Sequence, residues 1–562
     1  MNVTALLKAR LLFAFSSTFL SLLLFSSPAK AAGTPGEKPS STAETYKADV
    51  RISGTVRDRL GVPVQGVTVQ VAGNTSQTTT TDSAGKFSIT IPENASLIFT
   101  AVGYKPQTIG VNSLNMEVVL DAAEGNMQEV VVVGFGKAKK ISIVGAQASV
   151  DVEELKQPVA NLSAALSGRL AGVIGVQRSG LPGENAADLW IRGISTFGNN
   201  PSGPLIVIDG VQNRGLNAFD PEDIASFTIL KDANALAVYG VAGANGVILI
   251  TTKRGRLGKP SIVVNYNQGI TGFTKLPEMT DGPTYMRLRN EAQVASGLAP
   301  EYSDAVIDAT VKGDQPYLYP NVNWMREIFN DHGVNRRANF SVRGGAEAAR
   351  YYVSFAYYDE TSLLKTDGLQ TYTSDTRFRR LNVTTNVDMD WTKTTKVELG
   401  IQGNLSNLNR PAINGDANVS PQEIFRQVMQ TTPILYPTMY PGNLVPGINT
   451  ANAQKSPYEM LTQMGYVNTF NNQLYTNLRV TQDLGMITKG LSAYGLYSYD
   501  IFSAQRIIRS RQRNTWRINP VTPYNPDGTV NLLPVITSGT ENLGYANANG
   551  GNRQNYFEGA IN

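Results

Sequence analysis

From Ser261 onward, apolar and polar residues alternate in segments of about ten, a period that admits only extended strands with two unlike faces. Ile262, Val264, Tyr266 and Ile270 alternate with Asn265, Asn267 and Thr271. Tyr351, Val353, Phe355 and Tyr357 share one parity; Ser354 and Ala356 take the other, where Tyr352 and Tyr358 also fall. Leu381, Val383, Val387, Met389 and Trp391 alternate with Asn382, Thr384, Asn386, Asp388 and Asp390. Val397, Leu399, Ile401 and Leu405 alternate with Glu398, Gln402 and Asn404, and Leu474, Leu478 and Val480 with Tyr475, Asn477 and Arg479. Strands of this length, apolar outside and polar inside, are the pattern of a transmembrane β-barrel.

Loop lengths support the same fold. Strands near 261–272, 336–344, 349–359, 377–391, 396–406, 472–484, 490–502 and 555–562 are joined alternately by short and long connections. The short turns lie near 344–348, 392–395 and 485–489, and the long connections at 273–335, 360–376, 407–471 and 503–554. Outer-membrane barrels have short periplasmic turns and long external loops. A soluble all-β protein does not require that asymmetry.

The first 31 residues read as a cleaved export signal. Lys8 and Arg10 precede an apolar stretch over 11–25, then Pro28 and the small-residue site Ala29-Lys30-Ala31. The stretch is too short for a membrane-spanning helix. Without Lys8, Arg10 and Lys30 the chain holds 46 basic and 45 acidic residues, which is no nucleic-acid footprint. Residues 32–48 form a polar linker.

Residues 49–120 change to short strands with turn punctuation and read as a small antiparallel β-sandwich. Val67, Val69 and Val71 alternate with polar neighbours, and Asp82-Ser-Ala-Gly85 is a tight turn before the strand at 86–91. The connector 121–140 holds a β-branched run: Glu129, Val130, Val131, Val132, Val133, Gly134, Phe135 and Gly136, followed by Lys137, Lys139 and Lys140. Such a run can add as a strand to a partner's sheet edge, or can already be paired inside a domain. Residues 141–257 read as a mixed α/β domain. It has a helix at 161–170, strands at 173–177, 187–192, 205–208, 227–230 and 247–252, an acidic turn at Asp220-Pro221, and an Asp232-capped helix at 233–239 stopped by Gly240.

Three blocks carry a family resemblance. ISGTVRDRLGVPVQGVTVQVAG, TDSAGKFSITIP and FTAVGYKPQ resemble the carboxypeptidase regulatory-like domain. LSGRLAGVIGVQRSG, WIRGISTFGNNPSGPLIVIDGV and DPEDIASFTILKDANALAVYGVAGANGVILITTKRG resemble the plug of a TonB-dependent outer-membrane transporter, more narrowly of the SusC/RagA class. NYNQGITGF, NFSVRGGAEAARYYVSFAYYDETSLL and LNVTTNVDMDW continue the likeness into 258–562. The resemblance implies a mainly β chain: accessory sandwich, α/β plug and the first part of an antiparallel transmembrane barrel. About eight strands fall short of the 22 of plugged transporters. The chain ends at Ala560-Ile-Asn562 without a terminal aromatic, so the expectation is the N-terminal part of a longer protein or a truncated product.

The function so implied is import of a bulky nutrient, an oligosaccharide or peptide, across the outer membrane, with residues 129–136 as the TonB box. TonB with ExbB and ExbD, a SusD-like surface lipoprotein and outer-membrane lipid are the implied partners. A siderophore or cobalamin receptor, and a non-transporting truncated envelope protein or adhesin, are the alternatives. No cofactor and no enzyme activity are expected. The chain has no Cys and one His, His332, read as a loop residue, so it lacks a cysteine nucleophile and a His-rich metal centre.

Overall fold

A computed structural model describes residues 49–562, except 59–60, 73, 93–94, 102–103, 105, 112, 122–129, 134–135, 140–146, 151–156, 158, 195–202, 233–235, 414–418 and 449–454. The export signal and the linker read at 1–48 lie outside the described residues. The chain divides into two compact units, 1–127 and 128–562.

In the first unit, β1 (Asp49–Asp58), β4 (Lys86–Pro92) and β7 (Asn115–Leu120) form one sheet, ordered β4-β1-β7. The other sheet has β2 (Thr68–Val71), β3 (Asn74–Thr80), β5 (Ser96–Thr100) and β6 (Gln107–Gly110), ordered β3-β2-β5-β6. Val56, Val67, Val69, Leu97 and Phe99 fill the space between them. Asp82 makes the expected turn, its carboxylate accepting from the amides of Ala84 at 2.9 Å and Lys86 at 2.8 Å. The sandwich is not purely antiparallel. β5 and β6 belong to the other sheet, so the chain re-enters beside β1 running the same way, and Ser53 pairs with Asn115 in a parallel ladder.

The second unit opens with a hairpin of β8 (Val130–Val133) and β9 (Gly136–Lys139). Its central sheet contains β10 (Gln147–Val150), β13 (Leu205–Ile208), β14 (Val211–Gln212), β15 (Ile224–Leu230) and β16 (Val247–Thr252), ordered β10-β15-β16-β13-β14. β11 (Val173–Gln177) and β12 (Ala187–Ile191) form a separate hairpin. Leu162, Leu166, Ile208, Ile224, Phe227, Ile229 and Ile248 make the core beneath the sheet. The first helix is shorter than expected, Leu162–Leu166, because the chain turns through Gly168 at φ +75°. The second differs in kind. Its start at 233–235 lies outside the described residues, and Ala237–Gly243 is 3-10 turn with Gly240 at φ 57°, ψ −142° inside it. Gly240 kinks this segment instead of ending it, a backbone conformation closed to side chains with a Cβ.

The remaining chain forms one eight-stranded antiparallel sheet: β17 (Gly258–Thr271), β18 (Gly333–Gly345), β19 (Ala349–Thr361), β20 (Arg377–Asp390), β21 (Thr395–Pro411), β23 (Gly465–Asp483), β24 (Ser492–Ser510) and β27 (Gly544–Ile561). Neighbours in sequence are neighbours in the sheet, and the first and last strands do not pair with each other. All eight expected strands are present, and β23, β24 and β27 run several residues longer. Pleating sends successive side chains to opposite faces. On β19, Phe355 and Tyr357 are 46% and 44% exposed, while Ser354 and Ala356 are 0% and 2%. The apolar parity is therefore the outer face and the polar parity the inner one.

The long connections are not structureless. They contain the helices Gly282–Ala295, Asp304–Lys312, Trp324–Ile328, Gln422–Gln430 and Pro457–Thr462, and a small sheet of β22 (Val445–Pro446), β25 (Thr515–Ile518) and β26 (Leu532–Ile536). Trp324, Ile328, Phe329, Ile413, Ile424, Val428 and Met460 give these loops a core of their own. Among the described residues no helix is long and apolar enough to cross a membrane. Crossing by strands is a separate matter.

Candidate functional site: the seat of the plug

The inner face of the sheet meets the α/β domain through polar contacts. The acidic turn read at Asp220-Pro221 is a 3-10 turn, Pro221–Asp223, capped by Asp220. Its last residue, Asp223, is completely buried. The Asp223 carboxylate accepts from the Tyr352 hydroxyl at 2.8 Å and the Thr384 hydroxyl at 2.7 Å, and from Ser354. Those donors come from β19 and β20. Burial, then the neighbouring Asp220 charge, push the Asp223 pKa up to about 6, against the opposing hydroxyl donors. Asp220 is paired with Arg337 of β18, whose Nη1 also donates to the Gln157 carbonyl at 2.8 Å.

A second anchor runs the other way in charge. Arg214, in the loop after β14, is fully buried and forms a two-point ion pair with Asp500 of β24, Nε–Oδ2 2.9 Å and Nη2–Oδ1 2.7 Å. Nη2 also reaches Ser498 at 2.9 Å. The guanidinium lies 4.8 Å from the Tyr475 ring centroid. Tyr475 in turn accepts from the Gly215 amide at 2.9 Å and stacks on Phe219 with centroids 5.5 Å apart. A planar two-point pair fixes orientation as well as distance.

Further wall residues bind main-chain carbonyls of the domain. Arg380 donates to Asn217 O at 2.9 Å, Asn382 to Ala218 O at 2.6 Å, and Asn386 to Lys253 O at 2.7 Å. Arg254 pairs with Asp388 at 2.7 Å. At the opposite end, Glu184 accepts from Ser420 at 2.7 Å, and Leu181 enters the core of the long connections. Gly183 makes that entry possible, since a Cβ there would stand 2.8 Å from the Phe378 ring.

Of the expected TonB-binding residues, Val130, Val131, Val132 and Val133 form β8, and Gly136 begins β9. Glu129, Gly134 and Phe135 lie outside the described residues. Among the described residues β9 is the strand that pairs with β8. His332 is exposed immediately before β18, as a loop residue. The seat residues Arg214, Asp500 and Arg337 were not singled out from sequence, and Asp223 was placed in the acidic turn without a role in the seat. Only the Pro221 turn carried a signal, its run of acids at a cap.

Comparison with known proteins places this architecture. The TonB-dependent receptor plug domain matches residues 139–247, and the carboxypeptidase regulatory-like domain matches residues 51–131. A TonB-dependent receptor of Formosa agariphila is 32% identical over 337 residues, 59% of this chain and 31% of the relative. The TonB-dependent receptor SusC of Bacteroides thetaiotaomicron is 31% identical over 342 residues, 59% of this chain and 32% of the relative. The RagAB peptide importer in its open-open state superposes with a TM-score of 0.55 at 23% identity, covering 70% of this chain and 44% of that one. In domains, sequence and fold, this chain is similar to SusC/RagA-type TonB-dependent transporters. The chain spans about a third of the length of the curated relatives it matches. Within a SusC/RagA-type architecture the α/β domain is the plug, and the contacts above are its seat. The relatives are receptors and transporters, not enzymes.

Proposed function

We propose that the chain serves TonB-dependent import of a bulky nutrient, an oligosaccharide or a peptide, across the outer membrane. The observation that carries this reading is the seat itself: a self-contained domain held against the inner face of a membrane-type sheet by buried hydrogen bonds and ion pairs. Such bonds hold firmly at rest and break one after another under a directed pull. The pull enters at residues 129–136, where TonB, driven by ExbB and ExbD, adds a strand to Val130–Val133. Residues 1–31 direct export and are removed. A SusD-like lipoprotein covers the external loops, and the outer strand faces meet lipid. The solved structure named as a peptide importer fits the peptide branch of this cargo.

The test is growth on defined peptides or glycans as nutrient, comparing the parent strain, a strain lacking this gene and a strain lacking TonB. Equal loss in both mutants supports import. Binding that persists with uptake indifferent to TonB would reject it in favour of an adhesin. A defect confined to iron-limited medium would move the cargo to siderophores.

A further inference from the structure

One cavity, about 390 Å³, lies between the plug loop that joins β11 to β12 and the external ends of the wall strands. Its apolar side is Leu181 of the plug together with Phe273 and Phe425 of the long connections. The two phenylalanines are held in place: their ring centroids are 6.1 Å apart, and Phe329 stands behind them at 5.2 Å and 4.6 Å. The polar side is Glu360, the last acid of β19, only 7% exposed.

Glu360 is unusual for a buried carboxylate. Its oxygens accept from the Asn185 amide at 3.3 Å and 3.2 Å, and among the described residues it forms no ion pair. Arg380 acts on it through space: its Nη1 and Nη2 donate to the carbonyls of Asn217 and Ala160, and its Nε has no hydrogen-bond partner among the described residues. The other charge on the cavity, Arg178, is neutralised by Asp188 at 2.7 Å. The net electrostatic character of the cavity is therefore that of one carboxylate beside an aromatic wall. A buried anion with no counter-charge in direct contact is costly, and a cation supplied by a ligand offsets that cost.

We propose that this cavity is a cargo subsite for a basic peptide group, an ammonium or guanidinium at Glu360 with a neighbouring apolar side chain against Phe273 and Phe425. This rests on the import reading and narrows its cargo from oligosaccharide or peptide to peptides carrying a basic side chain. A neutral sugar would satisfy the aromatic wall but leave the carboxylate uncompensated.

The experiment measures binding of three probes to the protein in detergent-extracted native outer membrane: acetyl-Leu-Lys-Leu-amide, acetyl-Leu-Gln-Leu-amide and maltoheptaose. The expected result is at least tenfold tighter binding of the lysine peptide than of the glutamine peptide. Glu360→Gln, which keeps shape and removes charge, should abolish that ratio. Phe425→Leu should weaken both peptides and leave the ratio intact, which shows that a loss in the first variant is not misfolding. Equal affinity of the two peptides, no binding of either, preference for maltoheptaose, or a ratio unchanged in Glu360→Gln would each overturn the subsite. Uptake that depends on TonB would survive all of these outcomes, so failure here is distinguishable from failure of the import reading.

Discussion

Arg214 of the plug and Asp500 of β24, 286 positions apart in sequence, meet through two parallel hydrogen bonds, with the Arg214 side chain fully buried and that of Asp500 nearly so. Removing one partner leaves the other as a buried, uncompensated charge, which costs about 3–5 kcal/mol. Arg214→Met should therefore loosen the plug by that amount, read as the urea concentration at which trypsin begins to cleave the plug in the folded barrel. Replacing both as Arg214→Met with Asp500→Leu should cost less than either single change. Additive losses would show that the two residues do not act as a pair.

Asp223 makes the seat depend on pH. Its carboxyl is held up to about 6 by burial and by Asp220, against an ordinary value of 3.8. The seated plug thus binds this proton more tightly than a released plug does. Protonation favours the seated state, and the advantage is lost as pH rises from about 4 through about 6. Seating should be firmer at pH 5 than at pH 7.5 by the same urea and trypsin readout, and Asp223→Asn should flatten the profile. A slope of the opposite sign would contradict the assignment.

The valine run of β8 supplies the third expectation. Proline at Val131 and Val133 removes two amide donors from the run and disfavours any added strand. The double variant Val131→Pro, Val133→Pro should reach the outer membrane in normal amount and fail in uptake. Normal uptake would place the TonB contact elsewhere.

On the wall, Leu399 pairs with Val387 and Leu478 in the outer row, where Leu478 is 40% exposed. Arginine at a lipid-facing position near mid-bilayer costs about 2–4 kcal/mol. Leu399→Arg should lower the unfolding free energy in lipid vesicles by that amount, whereas Gln402→Ala on the inner face should not show this lipid-dependent cost. Equal effects would mean that the faces are reversed.

Much of this was legible in the sequence, and the reason is geometric. A period of two maps directly onto the faces of a strand, so the row Phe355, Tyr357 and the row Ser354, Ala356 separate without any tertiary information. Tyr352 and Tyr358, which fell on the polar parity, are inward-facing and buried, and the Tyr352 hydroxyl binds Asp223. What sequence could not supply were contacts between single residues far apart. Asp223 and Thr384 lie in two separate blocks of the family resemblance, but nothing in either block links one to the other, and nothing local links Arg337 to Asp220. The loop helices were missed for another reason: their cues, such as Asp281 capping Thr284 at 2.9 Å ahead of a helix begun by Gly282-Pro283, are short and sit inside long polar stretches. The parallel pairing of β1 with β7 depends on which sheet the intervening strands join, and composition does not encode that.

Among the described residues the plug's main core takes in one wall residue, Tyr475, and Ala160 and Leu181 make separate small apolar contacts outside it. A plug displaced from the wall therefore uncovers carbonyls, amides and carboxylates that water solvates readily, and little greasy surface. A domain of that surface is suited to leave and return without clumping. Repeated opening, rather than a single irreversible ejection, is what a partner so weakly oily and so well hydrogen-bonded is suited to.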